Sequence, residues 1–206
     1  MLTIVEDIKA IYRNDPSAKN VEFLLYAGFH AIIAHRISHA LWELGIPFLP
    51  RLISQISRLL TGIEIHPGAK IGKGFFCDHG AGVVIGETTI IGDNVTLYQN
   101  VTLGGTGRER NKRHPTIEDN VMIGAGSVLL GPIIVGQNAQ VGAMSLVVMR
   151  DIPAHCSVGG VPAIILRRNG RACREKLPRT VACPIHSQAN GEMEYCNGVK
   201  HHPKTA

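Results

Sequence analysis

An aliphatic residue recurs at every sixth position late in the chain, in the series Ile117, Ile123, Leu129, Val135, Val141 and Val147. Gly124, Gly136 and Gly142 directly follow three of these rungs. The same beat joins Ile65 to Ile71, and Ile85 to Ile91, Leu97 and Leu103. Six is neither the strand period of two nor the helical period of 3.6. It fits a β-helix, in which each rung points inward and each coil needs its neighbours to bury that inner face. Composition agrees, with 45% hydrophobic residues, only 5% aromatic residues and 23 glycines. Stacked coils call for small aliphatic rungs and permissive corner residues, not large rings.

The beat slips twice. The spans Ile71 to Ile85 and Leu103 to Ile117 each exceed two hexads by two residues. A slip takes the chain off the regular coil, and excursions from a rigid scaffold are where function concentrates. The first slip holds Cys77-Asp78-His79-Gly80. The second holds Gly104-Gly105-Thr106-Gly107 and then the basic run from Arg108 to His114, which predicts a protruding loop near residues 107–115. Both excursions therefore carry a histidine beside charged residues.

The flanks differ from the repeat. Residues 1–61 read as helical. An amphipathic stretch through Ile4, Ile8 and Ile11 breaks at Asn14-Asp15-Pro16, where Asp15 is placed to cap and Pro16 to occupy a first helical position. A second helix is expected from Val21 to Leu44, and a third from about Arg51 to Leu60, leading to Gly62. The β-helix is expected over 62–168, with Gly159–Leu166 as a closing strand. A polar tail over 169–206 has no periodicity and is expected to be irregular and loosely packed. The 206 residues carry a formal charge of +5, concentrated at Arg108–Arg113 and Arg167–Arg179 rather than along one helix face. Two local clusters suit an anionic small ligand at least as well as a duplex, and no nucleic acid or membrane partner is expected. No apolar run approaches a membrane span, and no export signal opens the chain. Five irregularly spaced cysteines argue against a disulfide framework and for a cytoplasmic setting.

The motifs Gly62-Ile-Glu-Ile-His-Pro-Gly-Ala-Lys-Ile-Gly72, Asp78-His79-Gly80, Gly86-Glu-Thr88, Val101-Thr-Leu-Gly-Gly-Thr-Gly107 and Arg113-His114-Pro115 follow one another in order. Together they resemble the serine O-acetyltransferases, from about Asp15 to Leu166. A lone hexad is shared by many acyltransferases, but this combination is specific. The resemblance implies a left-handed parallel β-helix and acetyl transfer from acetyl-coenzyme A to the L-serine hydroxyl, on the path to cysteine. It implies His79 as general base, oriented by the carboxylate of Glu64 on the preceding coil, where other members carry Asp. A histidine suits deprotonation of a hydroxyl near neutral pH, and a carboxylate on its other nitrogen fixes the tautomer.

Serine is a zwitterion, so its pocket needs a cation and an acid. The resemblance assigns Arg113 to the carboxylate, Asp15 and Asp78 to the ammonium, and His114 to substrate contact and the developing oxyanion. Gly105, Thr106, Ala125 and Ala143 match positions along the coenzyme groove. Gln140 stands where lysine is common and Met144 where glycine is common. Arg167, Arg168 or the 108–113 loop are candidates for the coenzyme phosphates. No Gly-Lys-Ser/Thr accompanies the glycines, so they are not a P-loop. The family implies a homotrimer, here a short form, with L-cysteine as a feedback inhibitor. Cysteine synthase docking by a terminal isoleucine is not expected, because the sequence given closes Pro203-Lys-Thr-Ala206. No metal is expected. His35 and His39 lack a third ligand, and the tail residues Cys173, Cys183, His186, Cys196, His201 and His202 lack a second paired knuckle. Two alternatives remain: a hexapeptide O-acetyltransferase acting on a sugar or homoserine, and a trimeric metal protein resembling γ-class carbonic anhydrase.

Overall fold

The computed structural model describes residues 2–107, 111–180, 195–196 and 199–200. Three helices precede the repeat: α1 (Leu2–Asn14), α2 (Ala27–Glu43) and α3 (Leu49–Thr61). Pro50 sits in the first turn of α3, where its missing N–H costs nothing, and Gly62 ends the helix with a left-handed φ of 71°.

From Glu64 the chain winds through three parallel sheets that form the sides of a triangular prism. One side stacks Glu64–Ile65, Val84–Ile85, Thr102–Gly104, Val128–Leu130 and Leu146–Val148. The second stacks Lys70–Ile71, Ile90–Ile91, Thr116–Ile117 and Ile134–Val135. The third begins with Phe76–Cys77, Thr96–Leu97, Met122–Ile123 and Gln140–Val141. The hexad rungs are the stacked partners: Ile65 faces Ile85, Ile85 faces Leu103, Leu103 faces Leu129 and Leu129 faces Val147. They fill the prism, with Leu97, Leu103, Ile123 and Leu129 fully buried. Burying each such side chain contributes about 1.5–3 kcal/mol. One corner column is left-handed throughout, with φ of 56° to 58° at Asn94, Asn120 and Asn138, a backbone state that asparagine tolerates. Both slips are absorbed outside the ladder, so its register survives them. Inward rungs continue past Val147 after a step of five: Ile152 bridges to Val135, and Val158, six residues further on, pairs with Val141, both buried.

The helices are fastened to the first coil. Asp7 of α1 is almost fully buried, accepts the Phe75 N–H at 3.0 Å and pairs with Arg36 of α2 at 3.2 Å. Arg36 also donates to the carbonyls of Ile71 and Gly72. Gly28 of α2 lies so close to the coil that a Cβ there would overlap the Cys77 carbonyl. Phe23 stacks edge-on against Phe29, with ring centroids 5.1 Å apart, in a satellite core.

Three expectations need correction. The helix expected from Val21 to Leu44 is broken at Tyr26 (φ −73°, ψ 126°), with a 3₁₀ turn Val21–Leu25 before it. Helical spacing of apolar residues runs through the break, but α2 must start where Gly28 can seat on Cys77. Pro16 opens no helix; Asp15 instead accepts the Ser17 N–H at 2.8 Å in a tight turn. The chain beyond Gly170 is not irregular at once. Cys156–Gly160 adds to the third sheet in parallel beside Gln140–Val141, Ala163–Arg168 and Arg171–Lys176 then extend it as antiparallel strands, and Leu177 is buried in the core. Among the described residues no helix is long and apolar enough to cross a membrane.

Candidate active site

The first slip forms the corner between the third side and the first side of the prism. His79 occupies it with a left-handed φ of 58°, followed by Gly80 at 73°. This is the ordinary corner state of the prism, shared on the same edge by Asn100 and Met144 at 58°. A Cβ on Gly80 would overlap Ile63, so the turn lies flat on the coil beneath. The imidazole stands out in solvent, 75% exposed, with Nε2 3.9 Å from Asp78 Oδ1. Asp15, brought from the end of α1, joins this corner. Its carboxylate accepts the Ser17 hydroxyl at 2.6 Å and the Tyr26 phenol at 2.7 Å. The Ser17 and Tyr26 hydrogen bonds hold the Asp15 carboxyl below the usual carboxylate range, and the charge of His79 acts the same way.

Glu64 turns elsewhere. Its carboxylate lies 3.3 Å from Arg58 and 3.7 Å from Arg51 of α3, and it makes no described ion pair with His79. The carboxylate paired with His79 in the single chain belongs to Asp78.

The second slip forms a different corner, between the first side and the second. Thr88 anchors it. Its hydroxyl accepts the backbone N–H groups of Arg113 at 3.0 Å and His114 at 3.1 Å. Its own N–H donates to His114 Nδ1 at 3.1 Å. Nδ1 is therefore an acceptor, and the proton of the neutral ring sits on Nε2. Burial, then the charges of Arg113 and Lys112, push His114 down to about 4, so the ring is a neutral donor at physiological pH. It packs directly on Gly86, where a Cβ would overlap the ring. Arg113 is ion-paired with Glu87, and that hydrogen bond holds the Glu87 carboxyl low. Lys112 Nζ donates to the carbonyls of Thr88 at 2.6 Å and Pro115 at 3.1 Å, and burial pulls it down to about 8. His66, stacked edge-on against Trp42 at 5.3 Å, is pushed low by burial and senses both Glu87 and Arg113.

The sequence-derived residues thus fall into two groups. Asp15, Asp78 and His79 share one corner; Arg113 and His114 share the next. The corners flank one face of the prism, and at about 3.3 Å per strand residue they stand roughly 20 Å apart. Ala125 and Ala143 continue the His79 edge on later coils, next to Gly126 and Met144. Met144 is 71% exposed with φ 58° and lies over Gly126. Gly105 and Thr106 lead out along the His114 edge. Arg108 lies outside the described residues, as do Cys183, His186, His201 and His202. His35 and His39 stack 5.5 Å apart, and no group of three potential metal ligands stands together among the described residues. Sequence reading gave no role to Ser17, Tyr26, Glu87, Thr88 or Lys112. Thr88 was within reach, since Gly86-Glu87-Thr88 is part of a quoted motif. Nothing local marks Tyr26.

A coiled prism of hexads with catalytic-type histidines at its corners defines a hexapeptide-repeat transferase. The family model for bacterial transferase hexapeptide (six repeats) matches residues 114–148. The chain is 53% identical over 174 residues to a serine acetyltransferase of Bacillus subtilis, covering 84% of this chain and 80% of that protein. It is 52% identical over 170 residues to that of Synechococcus elongatus, covering 82% and 69%. The chain belongs to the serine acetyltransferase family. The crystal structure of serine acetyltransferase from Vibrio cholerae superposes with a TM-score of 0.78 at 40% identity, over 81% of this chain and 65% of that one. This chain thus spans just under two thirds of that solved relative. A Neisseria gonorrhoeae serine acetyltransferase in complex with serine (TM-score 0.77, 41% identity, 81% and 68% covered) and a Brucella abortus one in complex with coenzyme A (0.78, 40%, 81% and 67%) are similarly close. So is a serine acetyltransferase in complex with cysteine (0.77, 41%, 80% and 69%).

Proposed function

We propose that this chain transfers the acetyl group of acetyl-coenzyme A to the L-serine hydroxyl, at a site completed between copies of the chain. The observation that carries the reading is the separation of the two corners. Asp15, Asp78 and His79 offer acids for an ammonium and a base for a hydroxyl. Arg113 and His114 offer a cation for a carboxylate and a neutral Nε2–H donor for an oxyanion. A serine molecule is too short to span roughly 20 Å along one face. In a trimer the His79 corner of one copy meets the His114 corner of the next.

His79 takes the proton of the serine hydroxyl as the oxygen attacks the thioester carbonyl. The tetrahedral oxyanion accepts the His114 Nε2–H. Its collapse expels the coenzyme thiolate, which receives the proton back from the His79 imidazolium. Arg113 grips the serine carboxylate by its fork, and Asp15 and Asp78 hold the ammonium. Glu64 serves as the orienting carboxylate once it leaves the arginines of α3. Gly105, Thr106, Ala125 and Ala143 line the pantetheine path, with small side chains that leave room for a thin arm. L-Cysteine carries the same ammonium and carboxylate as serine and inhibits by occupying the same contacts. The reaction is placed in the cytoplasm, in keeping with the free thiols of Cys77, Cys156 and Cys173.

The test is thiol release from acetyl-coenzyme A with L-serine. The His79→Ala and His114→Ala variants are measured singly and co-assembled. Each alone is inactive, and the mixture recovers activity, because some interfaces combine an intact His79 with an intact His114. A mixture as dead as its components refutes the shared site. Serine-independent release in the unaltered protein, or release with a sugar or homoserine instead, refutes the substrate.

A further inference from the structure

Resting on the reading of Asp15 as the ammonium-binding acid, we propose that Tyr26 is a positioning residue for amino-acid recognition: its phenol fixes the Asp15 carboxylate in the orientation that receives the substrate ammonium.

The carboxylate of Asp15 is unusually well supplied with donors for a group near the surface. Oδ1 takes the Ser17 N–H at 2.8 Å and the Ser17 hydroxyl at 2.6 Å. Oδ2 takes the Tyr26 phenol at 2.7 Å. A carboxylate offers about four lone-pair sites, so three donors leave roughly one for a ligand. The two Ser17 donors are local and come with the turn after Pro16. Tyr26 is different, because it reaches Asp15 from another element.

The backbone of Tyr26 is held on both sides. Its N–H donates to the Phe23 carbonyl at 3.0 Å, closing the 3₁₀ turn. Its carbonyl accepts the N–H groups of Phe29 at 3.1 Å and His30 at 3.2 Å, opening α2. Two residues on, Gly28 is seated on the carbonyl of Cys77, the residue before Asp78. A rigid path therefore runs from Asp15 through the phenol and the start of α2 to the Asp78–His79 corner. The backbone of Asp15 is also held, its N–H donating to the Ile11 carbonyl of α1 at 2.8 Å, but without the phenol the carboxylate itself is oriented only by Ser17 of its own turn. This also gives the break between the 3₁₀ turn and α2 a purpose: it is where the side chain that holds Asp15 projects.

The experiment compares Tyr26→Phe, Ser17→Ala and Asp15→Asn with the unaltered full chain, measuring KM for L-serine, KM for acetyl-coenzyme A, kcat and the pH profile of kcat/KM for serine. A lost hydrogen bond to an ionised group predicts a rise in serine KM of about ten-fold in Tyr26→Phe, with acetyl-coenzyme A KM and kcat within about two-fold. The acid limb of the serine profile moves to higher pH, because the phenol is one of the donors that favour the Asp15 carboxylate. A purely structural tyrosine would move both KM values together with the melting temperature and leave the limb in place, and that result overturns the proposal. An unchanged serine KM in Tyr26→Phe, beside a raised one in Asp15→Asn, overturns the role of Tyr26 while the site reading stands. An unchanged serine KM in Asp15→Asn removes the site reading, and this proposal with it.

Discussion

Replacing Thr88 by valine keeps the shape of the second corner and deletes one oxygen. That oxygen accepts the N–H groups of Arg113 at 3.0 Å and His114 at 3.1 Å, and both donors lose their partner. Each such bond contributes about 0.5–1.5 kcal/mol net, so the pair is worth about 1–3 kcal/mol. The cost falls on the loop that presents the Arg113 guanidinium and the His114 ring, not on the ladder. At about 1.4 kcal/mol per factor of ten, kcat/KM for serine falls by roughly 5- to 150-fold. Thr88→Ser keeps the acceptor and stays near the unaltered value. The assay is thiol release at varied serine with acetyl-coenzyme A saturating, alongside a thermal melt of each variant. A Thr88→Val protein within about two-fold of the unaltered kcat/KM would refute the assignment of Thr88 as the anchor of the corner.

Two further outcomes concern stability. Gly28→Ala forces a Cβ into the Cys77 carbonyl, and overpacking of this kind costs about 1–3 kcal/mol. At about 2–4 °C per kcal/mol for a chain of this size, calorimetry should show a drop of about 2–12 °C; an unchanged melt would mean that α2 is not seated on the coil. Burial pushes His35 down from 6.5 to about 3, and His114 down to about 4. Both folded values lie below the unfolded one, so the folded state binds fewer protons between them. Their stabilising contribution is whole above pH 6.5 and is lost as pH falls towards 4. The melting temperature therefore declines across that window, and His35→Leu shallows the decline; an identical slope in the variant would refute the role of His35.

The ladder was legible because a solenoid writes its core at fixed spacing. Ile117, Ile123, Leu129, Val135, Val141 and Val147 are all at most 1% exposed. The slips were legible too, as breaks in that spacing, and they contain His79 and His114. What escaped were contacts between neighbouring elements, made by residues with no pattern of their own. Tyr26 meets Asp15 only because α2 is seated on Cys77, and Arg58 meets Glu64 only because α3 lies over the first coil. The hairpin at Asn169-Gly170 has a local signal, since Asn-Gly between two short runs is a hairpin turn and both residues take positive φ, 49° and 78°. Its arginines hid the strand, because exposed edge strands carry charge where inner ones carry aliphatic residues.

The prism also acts as a ruler. Hydrogen-bonded strands repeat about every 4.8 Å, so the edge above His79 is graduated in steps of that length. Ala125 and Ala143 stand one step apart on it, because Leu129 pairs directly with Val147. A thin substrate lying along that edge is measured in whole coils. A pantetheine arm on the proposed path along that edge would meet a new rung about every 4.8 Å, so each coil added or removed would lengthen or shorten the wall available to it by one such step.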